Sequence, residues 1–288
     1  MVLHEDRQHA QPLPGYAAGE LQNVNASSDN PNRELWYTIF AIGHPALKKF
    51  QNFHRRLPAP PRCRLCFAPF RGIGGVLMRL QKKGPNSRNP NFCNACDAFM
   101  RQYPGSAEVE MSILFADIRS STALAEHIGA TAFGNAMNNF YRQAIAVINE
   151  RDGFIIGLAG DGVAAVFPPG FSGAQHSNKA VAAARDLLAL RLPDAPDGSK
   201  VRLGVGVHTG PVYIGTAAAS PGGPQDVAAL GDNVSTTSRL SSAAAAGEAI
   251  VSEAACNCAG IAADEGEPRE LTLKGKEAPV RVRVWAAS

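Results

Sequence analysis

A Gly-Asp-Gly triplet at residues 160–162 stands between two short apolar runs, Phe154–Ala159 and Val163–Phe167. Glycines on both sides of an aspartate give the backbone the freedom a tight reversal needs, so the segment reads as an antiparallel hairpin. One antiparallel ladder excludes an all-helical bundle. From residue 109 onward, Val/Ile/Leu-rich runs of strand length alternate with Ala-rich helical periodicity. The expected elements are strand Val109–Ala116, helices Ser121–Ile128 and Ala132–Arg151, the hairpin, and helix Ala180–Leu190. Strand Val201–His208, a Thr-Gly-Pro turn and strand Val212–Thr216 follow. Helix Asn233–Ala246, strand Ala249–Ser252 and two closing strands near Leu271–Leu273 and Val280–Trp285 complete the series. This order predicts an α+β domain over 108–288, a mostly antiparallel sheet with helices mainly on one face.

Two aspartates stand at special places in that pattern. Asp117 directly follows the buried first strand in FADIRSST, and Asp161 is the middle residue of the hairpin turn. Taken singly, Asp117 reads as a helix cap and Asp161 as a turn residue. Together, on neighbouring strands, they form a pair of hard oxygen ligands of the kind that holds Mg²⁺ against phosphates. The helix starting at Ser121 would turn its first amides toward the same place.

Residues 109–285 resemble the catalytic domain of the class III adenylate and guanylate cyclases. FADIRSST is similar to that family's first metal motif and GFIIGLAGDGVAAVF to its second. RLGVGVHTGPVYIG resembles the hairpin that follows, ALGDNVSTTSRLSSAAAAGEAIVS the substrate helix, and LTLKGKEAPVRVRVW the closing strands. The resemblance implies a ferredoxin-like fold in which Asp117, Asp161 and the main chain of Ile118 hold two Mg²⁺ or Mn²⁺ ions, with Ser121 and Thr122 beside the phosphates. It implies that Arg239 reaches the α-phosphate in the transition state and that Lys274, or Lys276 in its place, contacts the outer phosphates. A planar guanidinium and an ammonium suit attack of a ribose 3′-hydroxyl on the α-phosphorus with pyrophosphate leaving. The two halves of such a site come from opposite subunits, so a homodimer is implied.

Three positions depart from the family's pattern. Gly157 stands where a base-reading lysine is usual, Ala228 where its aspartate or threonine partner is usual, and Ser235 where an asparagine touches the ribose. Strong rejection of a wrong ligand needs buried polar groups that the ligand would leave unpaired, so weak base discrimination is expected. Neither Gly157 nor Ala228 is the residue a guanylate cyclase requires, and the expected substrate is ATP. The same departures motivate an alternative, a degenerate cyclase that senses nucleotide without turnover.

Ahead of that domain, Cys63-x-x-Cys66 and Cys93-x-x-Cys96 form two knuckles within residues 61–100. Four thiolates so spaced fit a closed tetrahedral Zn²⁺ site and equally an iron–sulfur cluster, which would make the segment a redox sensor. Residues 44–101 carry twelve Lys and Arg against a single acidic residue, Asp97. Such a block attracts phosphates, anionic lipid or nucleic acid, or is a solvated face around an anionic metal–thiolate centre. A nucleic-acid partner is the least expected of these.

Residues 35–60 read as a helical segment broken or begun at Pro45 and ended by PAPP at 58–61; residues 101–107 read as a linker. Residues 1–34 are polar and read as a disordered lead-in. Cys256 and Cys258, in an Ala-rich helical stretch, read as partly buried small residues, and His208 as a core or rim histidine. No apolar run is long enough to span a bilayer and no secretory signal opens the sequence, so a cytoplasmic protein is expected.

Overall fold

The computed structural model describes residues 30–57, 60–190, 192, 198, 201–218 and 223–287. Most of the lead-in and the Pro58-Ala59 pair of PAPP lie outside these residues. The chain divides into two compact units, residues up to Glu108 with Ile214–Ala228, and Val109–Tyr213 with Ala229 onward.

In the first unit, α1 (Arg33–Tyr37) begins within the segment expected to be disordered, and a π-helical turn (Thr38–Ile42) carries it to α2 (Pro45–Arg55). Trp36 and Phe40 stack with ring centroids 5.8 Å apart, and the Trp36 indole donates to the Tyr103 carbonyl at 2.8 Å. Helix α3 (Gly72–Leu80) lies between the two cysteine knuckles. Helix α4 (Asn94–Gln102), not anticipated from the sequence, starts on the second knuckle and occupies part of the expected linker.

The sheet comprises β1 (Ser106–Ile118), β2 (Phe154–Ala159), β3 (Gly162–Phe167), β4 (Leu203–Ala218), β5 (Gln225–Leu230), β6 (Glu248–Ser252), β7 (Glu267–Leu271) and β8 (Val280–Ala286); all of it belongs to the second unit except the start of β1, the end of β4 and most of β5. Strand order is β2-β3-β1-β4-β6-β8-β7, with β5 paired to β4. The β1–β3, β2–β3, β6–β8 and β7–β8 ladders are antiparallel and β4–β6 is parallel. The Gly-Asp-Gly hairpin forms as expected.

Alternation along the strands decides what lies on each face. Leu114, Ala116 and Ile118 of β1, Val205 and Val207 of β4, and Ala249 and Val251 of β6 enter one core. Helices α6 (Ala130–Glu150), α8 (His176–Leu188), which follows the single-turn α7 (Pro169–Ser172), and α10 (Glu253–Ala259) cover it with Phe140, Ile148, Val181, Leu187 and Cys256. On the other face Ile250, Val282 and Val284 pack with Leu240 of α9 (Asp232–Ala243) and with Ala244, which caps it. Helices therefore cover both faces, three against one.

The Thr-Gly-Pro turn does not form: β4 runs straight through Thr209, Gly210 and Pro211, and its hairpin partner is β5, which the sequence reading missed. The reason is the packing of α9. Gly204, Gly206 and Gly210 alternate on the α9 side of β4, and a Cβ at Gly206 would stand 2.3 Å from the main-chain nitrogen of Ser241. A Cβ at Gly210 would stand 2.7 Å from the Asn233 carboxamide, whose Nδ2 donates to the Pro211 carbonyl at 2.7 Å. The glycines are there for close backbone approach, not reversal.

Candidate active site and the four-cysteine cluster

Antiparallel register sets Asp117 opposite Gly162, and the Ile118 amide donates to the Asp161 carbonyl at 3.0 Å. The two aspartates thus stand at one end of neighbouring strands. Asp117 faces the α9 side, the odd-numbered side of β1, while buried Ile118 enters the opposite core. The Ser121 hydroxyl, in the first turn of α5 (Ser121–Ile128), donates to Asp161 Oδ2. Ser120 bridges β1 and α5 in the left-handed region at φ 57°. Thr122 is exposed.

Three residues not anticipated complete this end. The Ser241 hydroxyl of α9 donates to Asp117 Oδ2 at 3.0 Å. The Arg119 guanidinium pairs with Asp117 and lies over Gly204, where a Cβ would meet its Nε at 2.5 Å. Burial lowers the Arg119 pKa from its ordinary value, and the charge of Asp161 opposes that. Tyr141 of α6 donates its hydroxyl to the Gly160 carbonyl, tying the hairpin tip to the helix layer. Arg119 stood in the quoted motif; nothing local marked Ser241 or Tyr141.

A divalent cation fits this end on donor chemistry. Two carboxylates and main-chain carbonyls are hard oxygen donors, the set Mg²⁺ and Mn²⁺ prefer. A guanidinium already stands against Asp117, so the position favours positive charge.

The basic candidates lie elsewhere. Arg239 is two residues before Ser241 on α9, and positions two apart on an α-helix point about 200° away from each other. Its guanidinium lies beside Gly275, whose Cβ position is 3.4 Å from Arg239 Nη2. Lys276 pairs with Asp232, and Lys276 foremost, with Arg239 further off, holds the Asp232 carboxyl below the usual range. Lys276 is therefore occupied, and exposed Lys274 carries no ion pair among the described residues. Ser235 is exposed on α9. Gly157 lies at the irregularity in β2, and a Cβ there would meet nothing within 4 Å. Ala228, half-buried on β5, belongs to the first unit.

His208 is a half-buried rim histidine that links two helices. Its Nε2 lies 2.9 Å from Asn233 Oδ1, an acceptor, so Nε2 carries the proton. Its Nδ1 accepts from Ser252 Oγ at 2.7 Å. Burial lowers its pKa, against the hydrogen bond to Asn233, and the ring ties the first turn of α9 to the cap of α10. Cys256 is buried, whereas Cys258 is exposed, its Sγ 3.8 Å from His176 Nε2.

In the first unit Cys63, Cys66, Cys93 and Cys96 are all buried and unpaired by disulfides, with their sulfurs within 4.8 Å of one another. Cys66 and Cys93 are 3.7 Å apart at sulfur. Two turns create this: Arg62 bridges Pro69 across the first knuckle, with Phe67 at φ 60°, and Pro85 bridges Cys93 across the second. Burial raises the Cys63 thiol, but bonds from Cys66, Cys93 and Cys96 bring it well below the usual value. Cys66 and Cys96 are pushed up, foremost by their bonds to Cys63. Helix α2 is latched to the first knuckle by Gln51 Nε2 to the Leu65 carbonyl at 2.9 Å and His54 Nδ1 to the Cys66 carbonyl at 2.7 Å. Four converging buried thiols fit a tetrahedral metal ion.

An α+β sheet with paired aspartates at the β1–β3 end and a glycine-packed α9 defines a cyclase-type catalytic domain. Residues 105–283 match the adenylate and guanylate cyclase catalytic domain, and the chain belongs to that family. It is 27% identical over 179 residues to the terminal-differentiation-specific adenylate cyclase of Dictyostelium discoideum, a match covering 60% of this chain and 8% of that protein's length. The structure is similar to that of the guanylyl cyclase Cya2, with 24% identity, TM-score 0.57, and 63% of this chain and 94% of the other covered. It is also similar to the adenylyl cyclase CyaB from P. aeruginosa, with 23% identity, TM-score 0.54, and 64% and 97% covered. Among the described residues no helix is long and apolar enough to cross a membrane.

Proposed function

We propose that this chain is an adenylate cyclase that converts ATP to 3′,5′-cyclic AMP and pyrophosphate at sites shared by two copies. The observation that carries the reading is the split of the site. Asp117 and Asp161 gather at the β1–β3 end, while Arg239 and Lys274 belong to the opposite side of α9 and the β7–β8 connection. One copy therefore supplies carboxylates and its partner supplies cations. When bound, two Mg²⁺ or Mn²⁺ ions lower the pKa of the ribose 3′-hydroxyl and neutralise phosphate charge. Asp117, Asp161 and the Ile118 main chain would hold them, and Ser121 orients Asp161. The Arg239 guanidinium spreads its donors over the α-phosphoryl oxygens as their charge rises, and Lys274 holds the departing pyrophosphate.

The composite arrangement has a direct test. Asp117→Ala and Arg239→Ala are each expected to be inactive alone. Mixed in equal amounts and allowed to exchange, they are expected to regain about a quarter of wild-type activity, because half the dimers hold one intact site of two. No recovery despite demonstrated exchange would place all catalytic groups of a site in one copy.

Base selection follows from what Gly157 and Ala228 lack. With open space around Gly157 and no polar side chain at either position, ATP is expected to be preferred over GTP by less than about a hundredfold in kcat/KM. A strict GTP preference would overturn the assignment; tight ATP binding with no cyclic product in Mg²⁺ or Mn²⁺ would make the chain a nucleotide sensor.

The four cysteines are assigned to one Zn²⁺. Zinc–sulfur bonds of about 2.3 Å in a tetrahedron set the sulfurs about 3.8 Å apart. An iron–sulfur cluster spreads its thiolates over more than one iron and so holds them wider. The Asn89 carboxamide of this module donates to the Gln225 carbonyl at 2.9 Å, at the start of the strand that carries Ala228 and leads into α9. That bond supports a regulatory role for the module.

A further inference from the structure

Helix α3, between the two knuckles, inverts the usual relation between apolar side chains and solvent. Its sequence is GIGGVLMRL. The buried face consists of Gly74, Gly75 and Met78, and a Cβ at Gly75 would stand 2.5 Å from the Phe70 main chain. The helix is pressed down on its glycines, so its large apolar residues point outward. Ile73 is 87% exposed, Val76 54%, Leu77 39% and Leu80 78%, at the one, four, five and eight spacing of a single helix face. Isolated exposed apolar residues are ordinary, but a contiguous stripe of four marks a surface that docks.

The charges around the stripe select the occupant. Arg71 caps the helix, Arg79 stands in its last turn and Lys82 and Lys83 follow it; Arg79 also donates to the Phe70 carbonyl and Lys83 lies over the Phe50 ring. Across residues 44–101 the single acidic residue, Asp97, is buried and paired with Arg101 at 2.6 Å. A second copy would bring the same cationic rim and no exposed carboxylate from this block to meet it. A nucleic acid would use the cations but not four aliphatic side chains, and the stripe offers no aromatic ring on which a base could stack. An anionic bilayer uses both features: aliphatic side chains enter the acyl boundary while Lys and Arg meet the headgroups. We infer that α3 docks the chain on the surface of an anionic lipid bilayer, lying in the interface plane without crossing it.

The test is co-sedimentation of the full, metal-loaded chain with phosphatidylcholine vesicles and with vesicles containing roughly a third phosphatidylserine. The expected result is partitioning at least about tenfold stronger onto the anionic vesicles, weakened by raised salt. The double substitution Ile73→Glu with Leu80→Glu, at the two most exposed positions of the stripe, is expected to weaken it about tenfold or more while the four-cysteine metal content and circular dichroism stay unchanged. Wild-type protein that stays in solution with both vesicles overturns the inference. So does binding that the double substitution leaves intact, since charge alone would then account for it. Two further outcomes also overturn it: a fall in dimer mass on that substitution, and a short duplex or single-stranded RNA that displaces the protein from vesicles and binds the double variant equally.

Discussion

Asp117→Asn is expected to lower cyclic nucleotide formation by about a thousandfold or more, equivalent to about 4 kcal/mol of transition-state stabilisation. The amide keeps the size of the carboxylate and its oxygen can still accept from Ser241, whose hydroxyl lies 3.0 Å from Asp117 Oδ2. What is removed is the charge, and with it the ability to share a divalent cation with Asp161. Arg119, paired with Asp117, keeps the compensating field of Asp161 and its hydrogen bond to the Ser242 carbonyl. The fold is therefore expected to survive, with an unchanged circular dichroism spectrum. Asp117→Ala additionally leaves Ser241 without this acceptor, so its melting temperature is expected to fall slightly while activity is equally lost. The measurement is product formed from ATP in Mg²⁺ and in Mn²⁺. Activity of Asp117→Asn within about tenfold of wild type would remove this carboxylate from catalysis and leave it as a strand-end ligand of Arg119.

The contrast between what was readable and what was not is clearest along β4. The Gly-Asp-Gly hairpin announced itself because its chemistry is local: two glycines, an aspartate and apolar runs of similar length. Gly210-Pro211 carries similar local chemistry and is not a turn. Its residues answer to a partner distant in sequence, Asn233, which occupies the space a Cβ would fill and bonds the Pro211 carbonyl. The same argument explains Ser241. A serine in an Ala/Ser-rich helix has no local mark, and it meets Asp117 only because Gly206 lets α9 approach β4 backbone to backbone. The alternating glycines of LGVGVHTG were the available signal, since glycine at every second strand position says that something close covers that face. Asp117 and Asp161 were legible as strand-end and turn residues; their partnership with Arg119 and Ser121 required the register. The roles proposed for Arg239 and Lys274 rest on order of motifs, and the structure adds that Lys276 is engaged with Asp232.

Cys96→Ser is expected to have the largest effect on the first unit. The cluster is closed: Cys63 and Cys93 show no exposed surface and Cys96 shows 1%, so a lost thiolate is not replaced by a bulk ligand without opening the knuckles. Binding of a structural Zn²⁺ by such ligands contributes about 10 kcal/mol or more of folding free energy at neutral pH. Serine is a far weaker ligand, and a unit that also rests on Trp36, Phe40 and Phe92 has no comparable reserve. Metal content is expected to fall from one zinc per chain to below about a tenth. Trp36, buried and bonded to Tyr103, should become solvated, shifting its emission to the red, and trypsin should cut within the basic block at residues 44–101. Ligand thiols must lose their protons to hold the ion, so acid should reproduce these changes in the wild type as pH falls, and a chelator should do so at neutral pH. Retention of the Trp36 signal after complete metal removal would show that the apolar contacts suffice. A freshly purified wild-type sample that is brown, with charge-transfer absorption, would replace zinc by iron–sulfur; a colourless sample with one zinc per chain makes the cluster a brace. The Asn89 bond to Gln225 then determines how far the loss reaches. If that bond transmits the state of the cluster to β5, cyclase activity falls with metal content; if the cluster is a spacer alone, activity survives its loss.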